Sequence, residues 1–131
     1  MGYPSSMWTV SRPIAAPAEE VWRILVDLDA WPKWGLTVQG AELDDGDLLT
    51  LGVRGRVVTP VGVALPFTIT EFVPGCRWAW RVAGVPATKH GVDPDGDGCR
   101  VWMSAPLWAP AYLPVLELAL RRIDGMAVSA T

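Results

Sequence analysis

The sequence predicts a single α+β domain in which helices cover one face of an antiparallel sheet. Three observations carry this reading. After Pro17, the residues Val21, Ile24, Leu25 and Leu28 recur at the i, i+3, i+4, i+7 spacing of an amphipathic helix. Turn signals then cut residues 36–108 into short β-rich runs. From Tyr112 onward the apolar residues return to a helical period. A chain of 131 residues suits one core, so residues 1–131 are taken as one domain without internal repeat or linker.

In chain order, residues 8–14 alternate loosely and predict a first strand, ended by Pro13 and Pro17. The helix after Pro17 has proline early, where the missing N–H costs nothing, and Glu19 and Glu20 where the helix dipole favours acid. Asp29 as N-cap and Pro32 in the first turn predict a second, very short helix that includes Trp31 and Trp34. Turns at Asp44-Asp45-Gly46, Pro60 to Gly62, Pro74-Gly75, Gly84 to Pro86 and Asp95 to Gly98 separate runs at 37–43, 48–59, 63–73, 77–83, 88–93 and 100–107. Together with the first run they make a meander of about six or seven strands. On a wheel of ~100° per residue, Tyr112, Leu116, Ala119, Leu120, Ile123 and Met126 share one broad arc, with Glu117, Arg121 and Asp124 opposite. That helix needs a sheet to lie on.

Composition excludes several function classes. Eleven Lys and Arg against 14 Asp and Glu leave a net charge of -3, and no basic block could follow a phosphate backbone, so no nucleic acid is expected. The most apolar stretch, residues 105–116, is interrupted by Pro106, Pro110 and Pro114 and is shorter than the ~20 residues of a membrane span. It must be buried in protein or cover something apolar. Residues 1–6 lack the basic and apolar segments of a signal peptide, and Cys76 and Cys99 form no CxxC pair, which fits a reducing cytoplasm. If the runs 77–83, 88–93 and 100–107 are consecutive strands, the two cysteines lie two strand spacings apart, ~9–10 Å, too far for a disulfide. Eight Trp against two Phe and two Tyr suit either a core or the wall of a pocket.

Residues 14–22 (IAAPAEEVW) with 29–34 (DAWPKW), then 67–80 (FTITEFVPGCRWAW), then 95–101 (DGDGCRV), resemble the START-like (SRPBCC) superfamily in the family's order, and more narrowly its bacterial polyketide cyclase/dehydrase group. The resemblance implies a helix-grip fold, a curved antiparallel sheet wrapped around a long C-terminal helix, with a cavity between them closed by the two short helices. It implies binding of lipids, polyketides or other apolar ligands, and in some members ring closure or dehydration. Two departures stand out. Pro114 suggests a bent or late-starting helix and a smaller cavity, and counting back from Pro94 puts Thr88 where many relatives carry a histidine, with His90 two residues later.

Strand alternation says which side chains would face a cavity. Trp78, Trp80 and Val82 share a face opposite Arg77, Ala79 and Arg81, and Phe67, Ile69 and Glu71 share the inward parity against Thr68 and Thr70. A desolvated Glu71 would have a raised pKa and could serve as general acid or base. At the rim it would instead pair with an arginine or backbone N–H groups. Arg54 and Arg56 follow no secure register because of the glycines at 52 and 55; an inward Arg56 would hold a ligand carbonyl or carboxylate, an outward one would be solvated. His90, the single histidine, lacks carboxylate partners at ligand spacing, so neither metal nor cofactor is expected. It is either packed and hydrogen-bonded or in contact with ligand. Residues 93–98 open like an EF-hand loop, but position twelve is Ser104 and the flanks are strands, so a β-hairpin turn is expected.

These residues leave three functional readings. The first is a domain that binds a hydrophobic small molecule, with Trp34, Phe67, Ile69, Trp78, Trp80, His90, Met103, Tyr112 and Leu116 as lining. The second is a cyclase or dehydratase using Glu71 with Arg56 or His90. The third, by likeness to the chaperone-activating branch of the superfamily, is a protein-interaction module. A roomy cavity with two or three converging polar groups favours the enzyme, an apolar cavity with one polar group at its end favours binding, and a small dry one favours the partner. Sheet edges and the apolar residues near 105–110 leave monomer and homodimer both open.

Overall fold

The computed structural model describes residues 7–130. Seven strands, β1 (Met7–Ile14), β2 (Gly40–Leu43), β3 (Arg54–Val58), β4 (Ala64–Val73), β5 (Arg77–Val82), β6 (Val85–Asp95) and β7 (Gly98–Pro106), form one sheet in the order β1-β7-β6-β5-β4-β3-β2. Every neighbouring pair is antiparallel, so β2 through β7 make a meander and β1 closes against β7 from the far end of the chain. Helices α1 (Ala18–Val26) and α2 (Trp31–Trp34) follow β1, and α3 (Leu113–Ala130) ends the described chain. The arrangement is the α+β helix-grip architecture, with α3 lying on β1 and β7 and packed against α1 and α2.

Local chemistry accounts for the elements. Pro17 is the N-cap of α1 in extended conformation, Glu19 and Glu20 sit in its first turn, and Val21, Ile24 and Leu25 form its buried stripe. α2 begins one residue later than expected: Ala30 is its N-cap, with Pro32 at its start. Asp29 is not a cap, because the chain turns at residues 27–30 and the carboxylate of Asp27 accepts the Asp29 N–H in a local turn. At α3, Pro114 falls in the first turn, where a proline needs no partner and imposes no bend. The helix starts at Leu113, so Tyr112 belongs to the short 3-10 turn Pro110–Tyr112 in front of it. The run expected at 48–59 is a strand only from Arg54; before it, the chain runs beside β4, exchanging backbone hydrogen bonds between Gly52 or Val53 and Ile69. Residues 93–98 are a two-residue hairpin with Gly96 at φ 60°, as its first turn position requires.

Two bulges set the orientation of the sheet's centre. Between β4 and β5, Ile69 faces Trp80 and Glu71 faces Ala79, leaving Thr70 as an extra residue. Between β5 and β6, Trp80 lies opposite two residues, Ala87 and Thr88. The core fills the space between the sheet and the helices, with Trp31, Trp78, Phe67, Leu25 and Ile123 fully buried.

Candidate functional site

An apolar cavity of about 370 Å³ opens at the end of the sheet where the β3–β4 turn, the β5–β6 turn and the chain after β7 converge. Its walls come from Val57 on β3, Leu65 on β4, Trp80 and Val82 on β5, and Ala87 on β6. Trp108, Ala109 and Tyr112 close it from the segment after β7, and Thr37 and Val38 from the loop after α2. The apolar stretch at 105–116 thus lines this cavity. Behind it lies a small chamber of about 40 Å³ that shares Thr37, Val38, Trp80, Thr88 and Tyr112 with the outer one and adds Trp34, Trp78, His90 and Leu116. About 40 Å³ holds one water-sized group.

The wall between chamber and core is a cluster of aromatic rings. Trp31 stacks on Trp78 with ring centroids 5.1 Å apart, and Trp78 stacks on His90 at 4.0 Å. Trp34 meets His90 edge-on at 6.0 Å. The polar edges are satisfied in turn: the Trp31 and Trp78 indoles both donate to the carbonyl of Leu25, each at 3.0 Å. The Trp80 indole donates to Thr88 Oγ1 at 3.0 Å, and Thr88 Oγ1 lies 2.8 Å from His90 Nε2. His90 Nδ1 is 3.4 Å from the carbonyl of Trp78. One proton assignment satisfies the chain: Nδ1–H donates to Trp78, and the Thr88 hydroxyl donates to Nε2. Burial without an acidic partner pushes the His90 pKa down to about 3, so the ring is neutral. Among the described residues, Trp34 Nε1 is the one buried side-chain nitrogen or oxygen without a hydrogen-bond partner.

Six of the residues expected to line a cavity meet in these two chambers: Trp34, Trp78, Trp80, His90, Tyr112 and Leu116. Phe67, Ile69 and Met103 do not. They are fully buried core, and Phe67 is wedged between Trp31 at 5.9 Å and Trp80 at 5.4 Å, so α2 occupies the space a ligand would need to reach it.

The inward parity expected for Glu71 is corrected, and the arginine pairing that stood as its alternative is the one that forms, on the outer face. The bulge at Thr70 shifts the parity of β4 by one residue, which sends Phe72 inward opposite Trp78 and turns Glu71 to the outer face opposite Ala79. There it accepts from Arg77 Nε at 2.9 Å and pairs with Lys89 Nζ at 3.1 Å. The hydrogen bond from Arg77 lowers its pKa, the opposite of the rise expected from burial. Arg56 also points outward and pairs with Glu42 across β2 and β3 at 2.7 Å, because Gly55 and Val57 take the inward positions of β3. Glu71, Arg56 and His90 therefore do not converge. Alternation alone missed Thr37, Thr88 and Trp108; Thr88 shares the parity of His90, and Trp108 lies in the apolar stretch.

A seven-stranded antiparallel sheet gripping a C-terminal helix, with an apolar cavity at one end, defines the class of helix-grip folds. The profile described as "Polyketide cyclase / dehydrase and lipid transport" matches residues 7–123, and the chain belongs to that family. Solved structures agree on the fold. A protein of Nitrosomonas europaea superposes with a TM-score of 0.72 at 17% identity, covering 98% of each chain. XoxI of Bacillus cereus gives 0.73 at 13% identity over 95% of this chain and 97% of that one. DynU16, a protein in the dynemicin biosynthetic locus, gives 0.64 at 16% identity, with 95% of this chain matching 49% of that one. The 1,4-alpha-glucan branching enzyme GlgB of Rhizobium meliloti is 32% identical in a 100-residue alignment that covers 65% of this chain and 14% of that enzyme. The chain therefore spans about one seventh of that curated relative, and glucan branching does not follow from the match. No helix among the described residues is long and apolar enough to cross a membrane.

Proposed function

We propose that the domain binds an uncharged, largely apolar small molecule, lipid- or polyketide-like, in the two-chambered cavity. The observation that carries this reading is the cavity's make-up: about 370 Å³ of apolar wall ending in a chamber with a single unpaired polar group. That volume lies at the lower end of the range of ligand pockets and suits a two- or three-ring aromatic or a medium acyl chain. A protein-partner reading asks for a small dry cavity, which the outer chamber is not. The acid-base reading lacks support from the site, since Glu71 and Arg56 are engaged on the outer face and the only lone pair of His90 is taken by Thr88.

Filling the cavity tests this. Ala87 is half-buried on its wall, so Ala87→Trp should occupy the space without entering the core. Equilibrium dialysis of 2-isopropylnaphthalene against the unaltered protein should give saturable binding at one equivalent, weakened at least about tenfold in Ala87→Trp. Absence of saturable binding, or equal binding by a folded Ala87→Trp, would sink the proposal.

A further inference from the structure

Four indoles crowd the inner end of the cavity, and three of them have acceptors. Trp31 and Trp78 share the Leu25 carbonyl, and Trp80 uses Thr88. Trp34 is only 6% exposed, lines the inner chamber, and has no acceptor for its N–H. An unmet buried donor is destabilising, because it has given up its bond to water and gained none in exchange. The other polar atoms of the chamber are nearly spent. The Thr88 hydroxyl and both His90 nitrogens are committed to one another and to Trp78. The Thr37 and Tyr112 hydroxyls bond to each other at the neck between chambers, which leaves one of their two protons free to donate. Past that neck, whose hydroxyl oxygens can also accept, the one unmet polar group among the described residues is a donor. The chamber offers no cation: Arg77 and Lys89 are paired with Glu71 on the outer face, and Arg56 with Glu42.

We infer that the inner chamber is a recognition subsite for a neutral hydrogen-bond acceptor, a ketone, ester or ether oxygen, at the leading end of the ligand, received by the Trp34 indole N–H. The inference rests on the binding function proposed above and specifies its ligand class. A carboxylate end is excluded, because an ion buried there would meet no countercharge. The volume of about 40 Å³ admits one such oxygen while the hydrophobic remainder stays in the outer chamber.

Three matched probes test it by equilibrium dialysis: 2-acetylnaphthalene, 2-isopropylnaphthalene of nearly the same shape, and 2-naphthoic acid. Trp34→Phe keeps an aromatic ring, smaller than the indole, and removes the donor. The expected result is that the preference for ketone over hydrocarbon, taken within each protein, falls about five- to tenfold in Trp34→Phe. The acid should bind at least about tenfold more weakly than the ketone at pH 7. A second measurement uses the unaltered protein and stands even where the variant does not fold. In a nitrogen–proton correlation spectrum, the Trp34 indole proton should move downfield with the ketone and not with the hydrocarbon. Equal ketone preference in both proteins, or an indole resonance that does not distinguish the probes, overturns the subsite and leaves the cavity reading standing. Failure of every probe to bind overturns both.

Discussion

Burial without a charged partner holds the His90 ring neutral, with its pKa pushed down to about 3. The unfolded chain takes up this proton near pH 6.5 and the folded chain does not until about pH 3. Stability is therefore complete above pH 6.5 and falls as the pH drops from there toward 3. At pH 5 the loss should be about 2 kcal/mol relative to pH 7. Because the chain has one histidine, urea denaturation at the two pH values isolates the effect, and His90→Gln should remove most of the difference. Equal stability of the unaltered protein at pH 7 and pH 5 would contradict the burial of the ring. A second residue stores strain in the backbone: Ala83 has φ 52° and Gly84 φ 80° in the turn between β5 and β6. Turns with two positive φ values favour Asn-Gly. Ala83→Asn should raise stability by about 0.5–1 kcal/mol, read as a gain of a few degrees in thermal unfolding.

Strand β4 shows how one extra residue reassigns chemistry. The bulge at Thr70 puts Glu71 among Arg77 and Lys89, in a part-exposed cluster whose strength is screened by solvent. The lowered pKa of Glu71 means that its stabilisation is present above about pH 4.3 and disappears as the pH falls through the lower folded value. Glu71→Gln should cost less than about 1 kcal/mol and leave 2-isopropylnaphthalene affinity unchanged; loss of affinity would return Glu71 to the cavity. On β3, a Cβ at Gly55 would fall on the Glu42 carbonyl and 2.7 Å from the Phe67 ring. Gly55→Ala should therefore destabilise by about 2 kcal/mol or more in denaturant titration. The smallness of this glycine lets Phe67 lie across the strand and support Trp31 and Trp80.

Across the whole molecule, polarity follows the cavity. Residues 59–70, 82–88 and 101–116, which build its mouth, contain no charged side chain. Asp44, Asp45 and Asp47 follow β2, and Asp93, Asp95 and Asp97 mark the β6–β7 turn, both at the opposite end of the strands. Under the proposed function, an apolar ligand would enter past these segments without crossing fixed charge. Trp108 stands at that mouth 68% exposed, so it contributes little to folding but covers the outer chamber. Trp108→Ser should weaken 2-isopropylnaphthalene binding severalfold while shifting the unfolding midpoint by less than about a degree. An unchanged affinity would move the entrance elsewhere.

What the sequence by itself determined follows from neighbours along the chain. The 3.6-residue spacing around Val21, Ile24 and Leu25, the turn residues that divide the meander, and the period-two alternation of Trp78 and Trp80 are local signals, and each element they marked is present. The order of those elements, with the family resemblance, was enough for the helix-grip fold. Tertiary structure decided what depends on pairing between distant segments. A bulge exists only relative to the partner strand, so the side on which Glu71 emerges could not be read from β4 alone. Phe67 and Trp34 are both aromatic and buried, yet only packing of α2 against the sheet puts Phe67 in the core and Trp34 at the chamber wall. The unpaired indole of Trp34 is a fact about which acceptors the folded chain leaves within reach, and periodicity contains no information about that.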